Sequence, residues 1–141
     1  MKTSDRCAQG GNEIGMATAR VLIVDDEPAV LRLVSRALVG SGYEVLGATS
    51  PGEALNLVQR GPKIDLVISD VVMPEMRGPE LVQAVTRHSP STAAILMSAY
   101  VDGHELPPDV PFIQKPFVAK ELVATVERTL ERSAGRSASP V

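Results

Sequence analysis

Five residues carry chemistry that folding alone does not require. Asp25 and Asp26 follow the apolar run VLIV, Asp70 follows LVIS, Ser98 follows ILM and Lys115 follows FIQ. Crowding carboxylates at the end of a buried strand costs free energy unless a cation sits among them. Asp25, Asp26 and Asp70 would supply hard oxygen ligands suited to Mg²⁺, or Mn²⁺ in its place, which keep several waters and take few protein carboxylates. Lys115 and Ser98 would donate to an anion bound beside that metal. A carboxylate flanked by a divalent cation and a lysine can attack a phosphoryl group, with the cation and the lysine neutralising the transferring oxygens. Taken singly the residues have plainer uses: Asp25 as a helix cap, Asp70 as a turn residue, Ser98 as a loop hydroxyl. Their convergence carries the reading.

Convergence requires elements that bring distant positions to one edge. Residues 21–24 are β-branched, short and continuously apolar, as in a strand covered on both faces. Pro28 suits a first helical position. Val30, Leu33, Val34, Ala37 and Leu38 follow at helical spacing, with Gly40 and Gly42 as stop signals. Residues 43–49 read as a second strand, and Ser50-Pro51-Gly52-Glu53 has the form of a capping box. The helix it opens carries Ala54, Leu55 and Val58 and stops near Gly61-Pro62. A third strand holds Leu66, Val67 and Ile68 and ends at Asp70. Gly78-Pro79 leads into a helix with Leu81, Val82 and Val85. Residues 94–97 and 112–114 are the fourth and fifth strands, and Leu122, Val123, Val126 and Leu130 mark a final amphipathic helix. Strands alternating with helices imply right-handed crossovers and a parallel sheet covered on both faces. Ligands of such sheets lie beyond the carboxyl ends of the strands, where the five residues fall.

A chain of 141 residues is the size of one domain. Aromatics make up 3% of it, so the core is built from Val, Leu, Ile, Ala and Met. A net charge of −3 gives no general attraction to nucleic acid or anionic membrane, and no interleaved basic and aromatic patch suggests DNA contact. Arg128, Arg132 and Arg136 read as solvated. Cys7 stands alone, which points to a reducing compartment. Residues 1–19 read as a disordered leader, with Met16 an alternative start, and 133–141 as a flexible tail. No run is long enough to span a membrane and no signal-peptide core is present, so the expected location is the cytoplasm. His88 and His104 lie away from strand ends and serve neither metal nor phosphoryl transfer.

The segments VLIVDDEP, DLVISDVVMPEMRGPEL, ILMSAY and FIQKPF resemble, in order and spacing, the signature segments of two-component response regulator receiver domains. The likeness covers residues 20–132, and its wording is most similar to receivers attached to hybrid sensor histidine kinases. It implies a single doubly wound, flavodoxin-like (βα)5 domain of the α/β class, with a parallel five-stranded sheet of order 2-1-3-4-5. It also implies a signalling module rather than an enzyme, one that takes a phosphoryl group from a partner phosphohistidine onto Asp70. Asp26 and Asp70 would ligate Mg²⁺ directly, Asp25 through water and Val72 through its backbone carbonyl. Ser98 would be the switch hydroxyl, Phe112 the switch aromatic and Lys115 the phosphoryl contact, with a cis Lys115-Pro116 bond. Pro74 and Gly78 would shape the loop after Asp70, and Glu27 would be a first-turn residue favoured by the helix macrodipole. The implied partners are a sensor histidine kinase or histidine phosphotransfer protein and a downstream protein, with homodimerisation open and no role for nucleic acid or membrane.

Two features are particular to this chain. AYVDGHELPPDVP, between Ser98 and Phe112, is short for the family and holds Pro107, Pro108 and Pro111. A regular helix does not run through Pro107-Pro108, so a shortened or irregular fourth helix is expected there. Val72 and Tyr100 occupy the positions that tune phosphoryl lifetime in the family. Neither orients an attacking water, which implies slow autodephosphorylation. The competing function is a receiver-fold interaction module independent of phosphorylation. A haloacid-dehalogenase phosphatase would need an Asp where Val72 stands, and a flavodoxin would need a hydroxyl- and glycine-rich loop where DDEP stands.

Overall fold

The computed structural model describes residues 18–99, 107 and 109–138. Among the described residues nine elements follow one another: β1 (Arg20–Val24), α1 (Pro28–Gly40), β2 (Glu44–Ala48), α2 (Pro51–Arg60), β3 (Leu66–Asp70), α3 (Gly78–His88), β4 (Ala93–Ser98), β5 (Phe112–Gln114) and α4 (Ala119–Ala138). All strand pairs are parallel and the sheet order is β2-β1-β3-β4-β5, the doubly wound arrangement expected. Residues 1–17 of the leader, Tyr100, His104 and most of the segment expected to carry the irregular fourth helix lie outside the described residues. From Pro107 onward a turn bonded from the Val110 N–H to the Pro107 carbonyl (3.3 Å) leads into β5.

Alternation along the strands explains their continuous hydrophobicity. Val21, Ile23, Leu66, Ile68, Ile95 and Met97 form one core with Val34 and Leu38 of α1 and Leu122 and Val126 of α4. Leu22, Val24 and Val67 face the other way, against Ala54 of α2 and Leu81 and Val85 of α3. Strands β1, β3 and β4 are therefore apolar on both faces because a helix layer covers each. Phe112 packs, half-buried, in a third cluster with Val71, Val82 and Leu96.

Local signals set the element ends. Pro28 opens α1 behind Glu27, which is extended. Gly42, at φ 96°, makes the left-handed turn that lets the chain leave the helix. In α2 the Ser50 hydroxyl accepts from the Glu53 N–H at 3.2 Å. The return bond from Glu53 reaches the Thr49 N–H at 3.0 Å, one residue earlier than a standard capping box. Helix α4 runs to Ala138, past Leu130 where the apolar positions stop. At the amino edge of the sheet the Arg20 N–H donates to Asp65 (2.8 Å) and its guanidinium pairs with Glu44 (2.7 Å). There the buried Thr92 hydroxyl also donates to the Ile64 carbonyl at 2.7 Å.

Candidate functional site

The carboxyl edge is built differently. Strand β1 ends at Val24, and the Asp25 N–H continues to the Ala48 carbonyl at 3.1 Å, so the Asp25 backbone is pinned between β1 and β2. Its side chain is completely buried. One carboxylate oxygen accepts from the Glu27 N–H (2.9 Å) and the other from Lys115 Nζ (2.9 Å). The turn that starts α1 thus caps itself on Asp25 and leaves Asp26 exposed beside it. Asp70, the last residue of β3, is buried. Asp25, Asp26 and Asp70 each offer a carboxylate oxygen, and those oxygens lie within 4.8 Å of one another.

Lys115 enters from the far side of the sheet. Its backbone N–H donates to the Ser98 carbonyl at 2.9 Å, which ties the end of β5 to the end of β4. The Lys115-Pro116 bond is cis, as expected. The ammonium lies 3.6 Å from Asp70 and 3.9 Å from Glu27, in addition to its bond to Asp25. Ser98 is buried at the end of β4, one position past the Asp70–Met97 pair.

The electrostatics follow from this crowding. Burial pushes the Asp70 carboxyl above its ordinary range. Lys115 pulls it down, Asp25 pushes it up again, the Val72 N–H bond lowers it and Asp26 raises it; the net direction is upward. Burial works against the Lys115 ammonium, but the Asp25 bond and the charges of Asp70, Asp25 and Glu27 outweigh it and raise its pKa. The three clustered carboxylates, with the exposed Glu27 beside them, stand against one ammonium, leaving a local excess of negative charge that a divalent cation would reduce. The donor set is all hard oxygen, which fits Mg²⁺ or Mn²⁺.

Asp25, Asp26, Asp70 and Lys115 thus come together, Ser98 closes the adjacent strand and Val72 follows Asp70 with an exposed side chain. Phe112 pairs with Leu96, two residues before Ser98. Glu27 precedes the first turn of α1 as its N-cap instead of standing within it, and its carboxylate turns toward Lys115. One contribution is not apparent from residue types, and a second, Gly78, shapes the loop after Asp70 as the resemblance implies. The Ser69 hydroxyl donates to the Asp70 carbonyl at 2.9 Å. Gly78 approaches so closely that a Cβ there would collide with the same carbonyl, while its N–H donates to the Val71 carbonyl at 2.8 Å.

Residues 21–127 match the family model of the response regulator receiver domain. The chain is 41% identical over 121 residues to the sensor kinase CckA of Brucella abortus (strain 2308), covering 82% of this chain and 13% of that protein. It is 34% identical over 125 residues to the transcriptional regulatory protein GlrR of Escherichia coli (strain K12), covering 82% of this chain and 27% of that one. The solved receiver domain from the hybrid histidine kinase CckA superposes with a TM-score of 0.70 at 36% identity, covering 79% of this chain and 99% of that one. The chain therefore spans a small part of these curated relatives. No helix among the described residues is long and apolar enough to cross a membrane. The family match runs from β1 into α4, so every strand end that holds the acidic site lies within it, and the chain belongs to the response regulator receiver domains, signalling modules of two-component systems.

Proposed function

We propose that this receiver takes a phosphoryl group from a partner phosphohistidine onto Asp70 and passes the change to a downstream protein. The observation that carries the reading is the unbalanced carboxylate cluster with Lys115 3.6 Å from Asp70. An Asp70 oxygen attacks phosphorus, the phosphorus–nitrogen bond breaks and the imidazole leaves with its electron pair. Asp26, Asp70 and the Val72 carbonyl would hold Mg²⁺ directly. Asp25, whose two oxygens already accept from Glu27 and Lys115, would act through water. Bound there, the cation offsets charge on the transferring oxygens. Lys115, kept protonated by its acidic neighbours, supplies the second positive charge.

The aspartyl phosphate would draw the Ser98 hydroxyl inward and let Phe112 reorient from the cluster of Val71, Val82 and Leu96, biasing a two-state surface. Val72, with no carboxylate or amide to orient water, together with Tyr100 makes hydrolysis slow. On this reading the working unit is 20–132. The phosphodonor is a sensor histidine kinase or phosphotransfer protein, and the setting is the cytoplasm.

Incubation with phosphoramidate and Mg²⁺, followed by intact mass, tests the proposal. One added phosphoryl group, absent in Asp70→Asn, supports it. No addition under conditions that label a control receiver refutes it in favour of a phosphorylation-independent interaction module.

A further inference from the structure

We propose that the Ser69 hydroxyl is a positioning group for the site: it fixes the peptide plane that follows Asp70, and through it the metal-facing groups. The inference rests on the reading of Asp70 and Val72 as cation ligands given above. Strand β1 pairs with β3 only as far as Val24–Ser69. The Asp70 carbonyl therefore lies past the last rung of that ladder, in a buried place. Buried carbonyls require a donor, and the Ser69 hydroxyl provides one at 2.9 Å from a side chain with no solvent exposure.

The other end of the same peptide is also held, because the Val71 N–H donates to the Met97 carbonyl at 2.9 Å. With both ends bonded, the plane cannot turn about the Asp70–Val71 axis without breaking one bond. Gly78 closes the remaining side, where even a Cβ would not fit. Rotation of that plane changes ψ of Asp70 and φ of Val71 together. It would thus move Val72, whose N–H is bonded to the Asp70 carboxylate, relative to Asp25 and Asp26. Ser69 faces the α2–α3 layer with Val67, on the opposite face of β3 from Asp70. It never touches the cation and acts only through the backbone.

Ser69→Ala removes the donor with little change in volume, and Ser69→Thr restores it. Thr92→Val provides the matched control: it removes a buried hydroxyl that donates to a backbone carbonyl at the opposite edge of the sheet. Ser69→Ala should weaken Mg²⁺ binding, measured by calorimetric titration, by about tenfold, the scale of losing an outer-shell partner. It should slow labelling by phosphoramidate in parallel and speed hydrogen exchange at the Val71 amide in the metal-free protein. Ser69→Thr should return all three to wild-type values. Thr92→Val should lower the urea midpoint and leave Mg²⁺ affinity unchanged. Wild-type Mg²⁺ affinity in Ser69→Ala, or an equal loss in Thr92→Val, overturns the inference alone. Failure of the wild-type protein to bind Mg²⁺ removes the reading of the site and this inference with it.

Discussion

Replacing Asp70 by Asn should make the metal-free protein more stable at neutral pH, although it removes the proposed phosphoacceptor. The ionised Asp70 lies 3.6 Å from Lys115, an attraction of about 4.6 kcal/mol at an effective dielectric near 20. Asp25 stands within 4.8 Å and repels it by about 3.5 kcal/mol on the same scale. The two nearly cancel, which leaves the cost of burying the charge, several kcal/mol per ion. The charge-assisted bond from the Val72 N–H returns about 1.5–3 kcal/mol of that. A residual destabilisation of about 1–2 kcal/mol corresponds to a rise in melting temperature of about 3–10 °C for a domain of this size. The sign with pH is fixed by the same groups. The folded-state pKa of Asp70 is raised, so the cost is fully present above it and disappears as pH falls through it toward the unfolded carboxylate value. Thermal melts in EDTA across acid to neutral pH should therefore show the advantage of Asn shrinking as pH is lowered. Saturating Mg²⁺ should raise the wild-type midpoint, by about 2.7 kcal/mol of stability at a hundredfold excess over its dissociation constant, and raise that of Asp70→Asn far less. An Asn variant that melts at or below wild type in EDTA refutes the charge accounting. An equal Mg²⁺ shift in both proteins refutes the assignment of Asp70 as a ligand.

Lys115→Ala leaves the completely buried Asp25 without its cation and should cost about 3–5 kcal/mol in urea unfolding; a loss below 1 kcal/mol contradicts the pairing. Gly78→Ala forces the loop away from the Asp70 carbonyl and should lower stability by about 1–3 kcal/mol while also weakening Mg²⁺ binding in calorimetry. Ser50→Ala removes the α2 cap and should cost about 1 kcal/mol with Mg²⁺ affinity unchanged, which separates a purely structural hydroxyl from those near the site.

Most of the fold was legible because four of the five strands, β2 being the exception, announce themselves twice, by an apolar run and by a chemically odd residue at the end. VLIV-Asp25, LVIS-Asp70 and FIQ-Lys115 are strand and site in one reading, and the parallel sheet then brings the ends together. Three features resisted for separate reasons. Ser69 sits in an apolar strand where a lone serine carries no periodic signal, and its bond to the next carbonyl depends on where the β1–β3 ladder stops. Glu27 shows its charge in the sequence, but only the path of Lys115 across the sheet decides that it joins the cluster. The end of α4 lies beyond Leu130 because loss of apolar spacing ends a packed face, while the backbone stays helical until something interrupts it, and no proline stands between Leu130 and Pro140.

The two edges of the sheet show where stability and function part. At the amino edge, Asp65 accepts from the Arg20 N–H, the Arg20 guanidinium pairs with Glu44 and Thr92 donates to the Ile64 carbonyl, so these polar groups have partners. At the carboxyl edge the backbone is held as tightly, by Ala48 on Asp25, Met97 on Val71 and Ser98 on Lys115. The side chains there are nonetheless left short of positive charge. A rigid backbone is what allows the imbalance to persist, since a mobile loop would let the carboxylates separate into water. The unfavourable charge is thereby held at one edge of the sheet, where a divalent cation or protonation of Asp70 would relieve it. On the proposed reading a phosphoryl group on Asp70 adds further negative charge at this edge, so its accommodation would depend on Lys115 and a bound cation. The bond from the Lys115 N–H to the Ser98 carbonyl would carry the change toward β4 and β5.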